Sequence, residues 1–380
     1  MYRRILAVGG AATLLVGLGA CSAVPETPDG WRVAALEFDG ALEGSPEAVT
    51  DVTYSISTAS DDTEGGFWTE SAGSWLHVTA DGDATRRYNT SDEFTAEHGA
   101  ISVRGISASS PTMLVVSKTA GDDAFGPESG LFWYNTSDET WSRAHPDAIT
   151  TGDVDVDADG RIVFVDFLGE FVPDTYNPEA VLATPQPYAI RAIDSDGVIT
   201  TVQEPDPAVV VSASDAVDVD TDSAGTVYVS TETETYALDA DGTRSVLSTY
   251  TQQTPRLAAN AAGDILMPSA DPVATEDAND RSVPAVDDYS VTDGSQEARD
   301  VLDAHRDCST AEGSVPETPT PGSAPVGSLS LLRQGESPES ATALPFSCGA
   351  TPVALADHEF VLAIGDEAGT VLARVTPPKD

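Results

Sequence analysis

Apolar and polar positions along this chain alternate in short runs, and helical periodicity is nearly absent. The segment "GDVDVDADGRIVFVDF" (Gly152–Phe167) shows the recurring unit. An alternating run predicts a strand with one buried face, "ADG" predicts a turn, and the apolar run that follows predicts a strand buried on both faces. "AVDVDTDSAGTVYVST" (Ala216–Thr231), "RLAANAAGDILMPSA" (Arg256–Ala270) and "PVALADHEFVLAIGD" (Pro352–Asp366) have the same form. "DVTYSISTASDDTEGGFWTES" (Asp51–Ser71) and "RGISASSPTMLVVSKT" (Arg104–Thr119) are looser copies, which makes six units. A second hairpin follows most of them, as in "YAIRAIDSDGVITTV" and "TYALDADGTRSVLS". Each unit therefore predicts four strands, A to D. One segment reads as a helix, "SQEARDVLDAHRDC", with Ser295 as its N-cap.

A four-stranded unit of this size is that of a β-propeller blade. Units three and four, Gly152–Ser248, resemble NHL-type propeller repeats in their V-x-D-x-D-G rhythm. The resemblance implies an all-β, six-bladed propeller over residues 31–376. Unit six ends after its third strand, and "WRVAALEF" (Trp31–Phe38) belongs to no other unit. That N-terminal strand is expected to complete the last blade and remove an exposed edge. A seventh blade hidden in unit five is the alternative. Blade five carries the insertion, about residues 270–326, containing the helix and a proline-rich tail. By the same resemblance, the B–C loops and D–A connections share one face, and the longest loops are B–C loops. That face is the expected place for a ligand.

The chain starts with "MYRR", continues with the apolar run "ILAVGGAATLLVGL", and reaches Leu18-Gly19-Ala20-Cys21. This order resembles a bacterial lipoprotein signal with its lipobox. The resemblance implies loss of residues 1–20, lipidation of Cys21, a polar tether over residues 21–30, and a location at the cell membrane on the extracytoplasmic side. Each buried acyl methylene contributes about 0.8 kcal/mol, so more than one chain anchors stably. Cys308 and Cys348 then remain. A cysteine pair in an exported chain predicts a disulfide, worth about 4 kcal/mol for a loop of about 40 residues, with two separate thiols as the alternative.

Charge narrows the partners. The chain has 63 acidic and 18 basic residues, a net charge of −45. Such a surface repels nucleic acid and anionic lipid. No nucleic acid is expected as a partner, and the membrane only through the anchor. A protein, peptide or carbohydrate at the envelope fits better.

Candidate chemistry is sparse. Asp155, Asp157 and Asp159 in "DVDADG" match the opening of a calcium loop, but Val163 stands where a ninth-position oxygen belongs. A strand ending in a glycine turn gives the same spacing for backbone reasons. Six-bladed lactonases hold a metal at the axis with acidic and amide side chains from several blades. Their resemblance makes Asp153, Asp215, Glu170, Asp174 and Asn177 candidates here. Tyr176, His98, His145 and His305 complete the candidate face, with Phe125, Phe167, Phe171 and Tyr188 framing its loops. No zinc, P-loop, dinucleotide or G-x-S-x-G motif occurs. The expectation is a binding or sensing module without a cofactor, rather than an enzyme. The alternative is a metal-dependent lactonase or hydrolase. The repeated "YNTSDE", at Tyr88–Glu93 and Tyr134–Glu139, is out of phase with the units: the first copy starts at a strand D end, the second is a C–D turn.

Overall fold

The computed structural model describes residues 31–36, 58–71, 74–79, 84–88, 101–120, 130–145, 151–168, 186–206, 210–211, 217–250, 255–269, 289–293, 329–344, 350–355, 359–366 and 369–377. These residues form an all-β structure of mainly four-stranded sheets, and the one helical element among them is a short 3-10 turn at Pro338–Ser340.

The first strand is β1 (Trp31–Leu36). Sheet one follows with β2 (Thr58–Asp61), β3 (Phe67–Ser71), β4 (Ser74–Val78) and β5 (Ala84–Tyr88). Sheet two joins β6 (Ile101–Ser110), β7 (Met113–Ala120), β8 (Gly130–Asn135) and β9 (Thr140–Arg143). In sheet three lie β10 (Thr151–Val156), β11 (Ile162–Phe167), β12 (Gln186–Ile193) and β13 (Ile199–Gln203), with β14 (Val210–Val211) pairing onto β12. Sheet four holds β15 (Val217–Thr221), β16 (Val227–Thr231), β17 (Glu234–Leu238) and β18 (Arg244–Thr249). Sheet five starts with β19 (Ala258–Ala259) and β20 (Ile265–Pro268). The chain then leaves to form β21 (Tyr289–Asp293) and returns as β22 (Leu329–Leu332) and β23 (Thr342–Ala343). The last strands are β24 (Thr351–Ala354), β25 (Phe360–Asp366) and β26 (Gly369–Thr376).

Sheets one to five are antiparallel meanders with strands in chain order. The sixth sheet runs β24-β25-β26-β1-β21. Here β1 pairs antiparallel with β26, from Arg32 opposite Thr376 to Leu36 opposite Leu372. β21 then pairs parallel with the other edge of β1, with a bulge between Val33 and Ala34. The sequence reading assigned no strand to the insertion; five residues of it cap the sixth sheet. Its expected helix and proline-rich tail lie outside the described residues.

The second strands explain the packing. In β11, β16 and β20 every residue is buried. One sheet face packs on the preceding sheet and the other on the next. Apolar clusters fill the spaces accordingly. Trp68 joins Ile106, Leu114 and Tyr134 between sheets one and two. Val115 and Leu131 meet Phe164 and Ile193 between two and three. Val163, Ile190, Val229 and Tyr236 lie between three and four, and Tyr228, Ile265 and Met267 between four and five. Leu266, Leu331, Phe360 and Leu362 lie between five and six. Burying one such side chain stabilises by roughly 1.5–3 kcal/mol.

The first strands touch in sequence: β2 meets β6, β6 meets β10, β10 meets β15, β15 meets β19, β19 meets β24, and β24 meets β2. Close approach of β6 to β10 needs glycine at position 105. A Cβ there would lie 2.4 Å from Asp153 Oδ1 and 2.7 Å from the Val154 nitrogen. Gly105→Ala is therefore expected to cost about 1–3 kcal/mol by overpacking. Urea unfolding reads this as a lower midpoint with an unchanged slope.

Candidate functional site

The first strands of sheets three and four share a motif, "DVDADG" after Asp153-Val154 and "DVDTDSAG" from Asp218. Side chains alternate across a strand, so Asp153 and Asp155 share one face of β10, as Asp218 and Asp220 share one face of β15. The intervening Val154, Val217 and Val219 are buried in the sheet interfaces. All four aspartates meet where the first strands adjoin. They are half-buried as residues, and their carboxyl groups are enclosed among those strands.

Each carboxyl is held by a neighbouring sheet. Asp153 Oδ2 accepts from the Val219 N–H at 2.9 Å. Asp155 Oδ2 accepts from the Thr221 hydroxyl at 2.6 Å, and its Oδ1 from the Ser107 hydroxyl at 2.6 Å. Asp218 Oδ2 accepts from the Leu257 N–H at 2.8 Å, and Asp220 Oδ2 from the Ala259 N–H at 2.7 Å. The same device uses serine elsewhere: the Ala108 N–H donates to Ser60 Oγ, and the Val156 N–H to Ser107 Oγ. Arg256 donates to the Ala350 carbonyl, joining sheets five and six. Arg374 donates to the Gly65 carbonyl, joining six to one.

The carboxyls also lie near one another: Asp153 is beside Asp218, and Asp155 beside Asp220. Burial, then the Asp218 charge, pushes Asp153 well above the ordinary carboxyl range; burial and the Asp155 charge do the same to Asp220. Burial also raises Asp155 and Asp218, but the bonds they accept oppose it. Asp61, on β2, is pushed up to about 7 by burial and by the charges of Asp155 and Asp62.

The three carboxylates with calcium-loop spacing do separate jobs. Asp155 enters the inter-strand network. Asp157 Oδ1 accepts from the Asp159 and Arg161 N–H groups, and its Oδ2 pairs with the Arg161 guanidinium at 2.7 Å. Asp159 is exposed. The same side-chain-capped turn recurs at Asp62, Asp194, Asp222, Asp239 and Asn260, each accepting from the N–H groups two and four residues on. Its fourth residue is glycine with φ between 77° and 91°, a left-handed backbone that glycine adopts freely. Backbone geometry thus accounts for the spacing.

Among the described residues, no three His, Cys, Asp or Glu side chains are arranged to hold a metal ion. Oxygens of Asp153 and Asp155 accept bonds from neighbouring strands. His145 is buried, with 8% exposure. Phe167 and Tyr188 are also buried, opposite each other across β11 and β12, so they serve the core. Cys21, His98, Glu170, Asp174, Tyr176, Asn177, Asp215, His305, Cys308 and Cys348 lie outside the described residues, as do Phe125 and Phe171. Of the candidates among the described residues, only Asp153 and Asp155 meet in the network. The sequence reading missed Asp61, Ser107, Asp218 and Asp220. The signal for the last two was the Val-Asp alternation copied from Asp153–Val156.

No family profile matches the chain, and no curated protein matches it. Solved structures with partial similarity include one provisionally described as a gluconolactonase, at 10% identity and TM-score 0.46, covering 93% of this chain and 96% of that one. A gluconolactonase from Xanthomonas campestris is 10% identical with TM-score 0.46, over 86% of this chain and 88% of its own. A streptogramin B lyase is 8% identical with TM-score 0.40, over 92% and 98%. Similarity at this level transfers no activity to this chain.

Ser107 occupies two bonds in the network at once. Ser107→Ala leaves the Val156 N–H and one Asp155 oxygen without their partner, at an expected cost of about 1–3 kcal/mol. Asp159→Ala, at an exposed position, is expected to stay within about 0.5 kcal/mol. Denaturant midpoints of the two variants measure the contrast.

Proposed function

We propose that the chain is a lipid-anchored, extracytoplasmic, six-bladed β-propeller that acts as a non-catalytic binding module at the cell envelope. The observation that carries this reading is the use of the inner carboxyls. Asp153, Asp155, Asp218 and Asp220 join one sheet to the next, so these inner carboxyls are engaged in structural bonds. Six sheets whose first strands touch in turn, with Arg374 reaching Gly65, support the blade number and the closure through β1. The Leu18-Gly19-Ala20-Cys21 sequence supports the anchor. Binding then falls to the face bearing the long B–C loops. Net charge of −45 favours a basic peptide or protein, or a neutral carbohydrate, over any polyanion.

Two measurements test the reading. Cys21→Ala is expected to shift the protein from the membrane fraction to the soluble fraction without altering its circular dichroism. Retention in the membrane would remove the lipid anchor from the proposal. Thermal melting in 1 mM calcium and in excess chelator is expected to give the same midpoint. A metal bound at 100 times its dissociation constant would add about 2.7 kcal/mol. A rise of that size, together with metal-dependent lactone hydrolysis, would replace the binding module with the enzyme.

A further inference from the structure

The first strands of sheets two to five run in one direction. Gly105 lies against Asp153 and Ser107 bonds Asp155; Asp153 then meets Val219 and Asp155 meets Thr221; Asp218 meets Leu257 and Asp220 meets Ala259. Contacts that advance together in this way require parallel neighbours. The A–B turns of these sheets therefore lie at one end, and the Ser223 N–H joins two of them by donating to the Ala261 carbonyl at 3.3 Å. Antiparallel pairing brings the C–D turns to the same end. Val156, Ile162 and Ile193 are level across sheet three, as Thr221, Val227 and Leu238 are across sheet four.

Strand β1 enters sheet six at this end. Ala354, Phe360 and Val375 are level beside the A–B turn of that sheet, and Val375 stands opposite Val33, with Arg32 opposite Thr376. Arg374, opposite Ala34, donates to the Gly65 carbonyl in the A–B turn of sheet one, so both sheets share the turn face. Leu36, the last residue of β1, points the chain towards the other end. Leu168, the first residue beyond β11, marks that second face and is 39% exposed.

We propose that the face of the A–B and C–D turns is the membrane-facing surface, and that the face of the B–C loops is turned away from the bilayer. This orientation rests on the lipid anchor at Cys21 proposed above. Nine residues, 22–30, separate Cys21 from Trp31. At 3.3–3.6 Å each they reach about 30 Å at most. To bring the opposite face to the lipid, they would have to run back along the height of β1, roughly 17–20 Å. The direct exit from Trp31 needs no such detour. Glu64, Asp159, Asp196, Asp239, Asp241 and Glu336 are exposed on the turn face. Anionic headgroups repel them over about 8 Å at physiological salt, so this face stands off the bilayer rather than adhering to it. A partner of the B–C face then comes from the medium or from a facing surface, and is not a lipid of the protein's own membrane.

The test uses the full acylated chain in phosphatidylcholine vesicles that carry a rhodamine-labelled lipid. A donor dye is attached through an unnatural amino acid at Asp159 on the turn face or at Leu168 on the other. Energy transfer to the lipid is expected to be at least twofold stronger from position 159. A Gly-Ser linker of about 20 residues inserted after Gly30 frees the chain to turn over, and should bring the two positions towards equality. Equal or reversed transfer with the native tether, or a difference that survives the longer one, would overturn the orientation while leaving the anchor standing. Failure of the anchor reads differently: the Cys21→Ala chain would float with the vesicles as the acylated chain does, or neither would float, and the orientation would fall with it.

Discussion

The fold depends on side chains of one first strand bonding to the first strand of the next sheet. Apolar clusters hold neighbouring sheets face to face, but they are non-directional and do not set how the inner strands align. The inner bonds do. Ser60, Ser107, Asp153, Asp155, Asp218 and Asp220 each accept from a group one sheet further on, and Arg256 and Arg374 continue the circuit by donating to carbonyls. First strands have no strand partner on their inner side. Their N–H groups would otherwise be left unpaired, which costs about 1–3 kcal/mol each when buried. Aspartate and serine supply the acceptors.

This use of aspartate makes the inner region a titrating structure. An amide or hydroxyl would satisfy the same strands without titrating, as Ser60 and Ser107 do in sheets one and two. The chain as a whole has few cations, 18 against 63 acidic residues.

The strand units and their order could be read from alternation alone, since a period of two cannot be confused with a helix over such short segments. The second strands read as unbroken apolar runs because both of their faces are covered. The capped turns could be read as glycine turns, but not as the origin of the calcium-like spacing: alternate carboxylates look the same in sequence whether they converge on an ion or part company at a strand end. Asp155 and Asp157, two residues apart, end in different environments because the strand stops between them. Strand β21 escaped notice because five residues in a polar, proline-containing insertion carry no strong pattern. Only the free edge of β1 gives them a reason to extend.

From the sequence alone came the local facts: where strands start, which of them are buried on both faces, where glycine permits the turn, and how acidic the whole chain is. These follow from backbone period, side-chain size and charge count, all of which are properties of neighbours along the chain. Tertiary structure decided which aspartates meet. Asp153 and Asp218 are 65 residues apart and come together only because β10 and β15 lie side by side. Their meeting is created by packing sheets that the sequence describes one at a time.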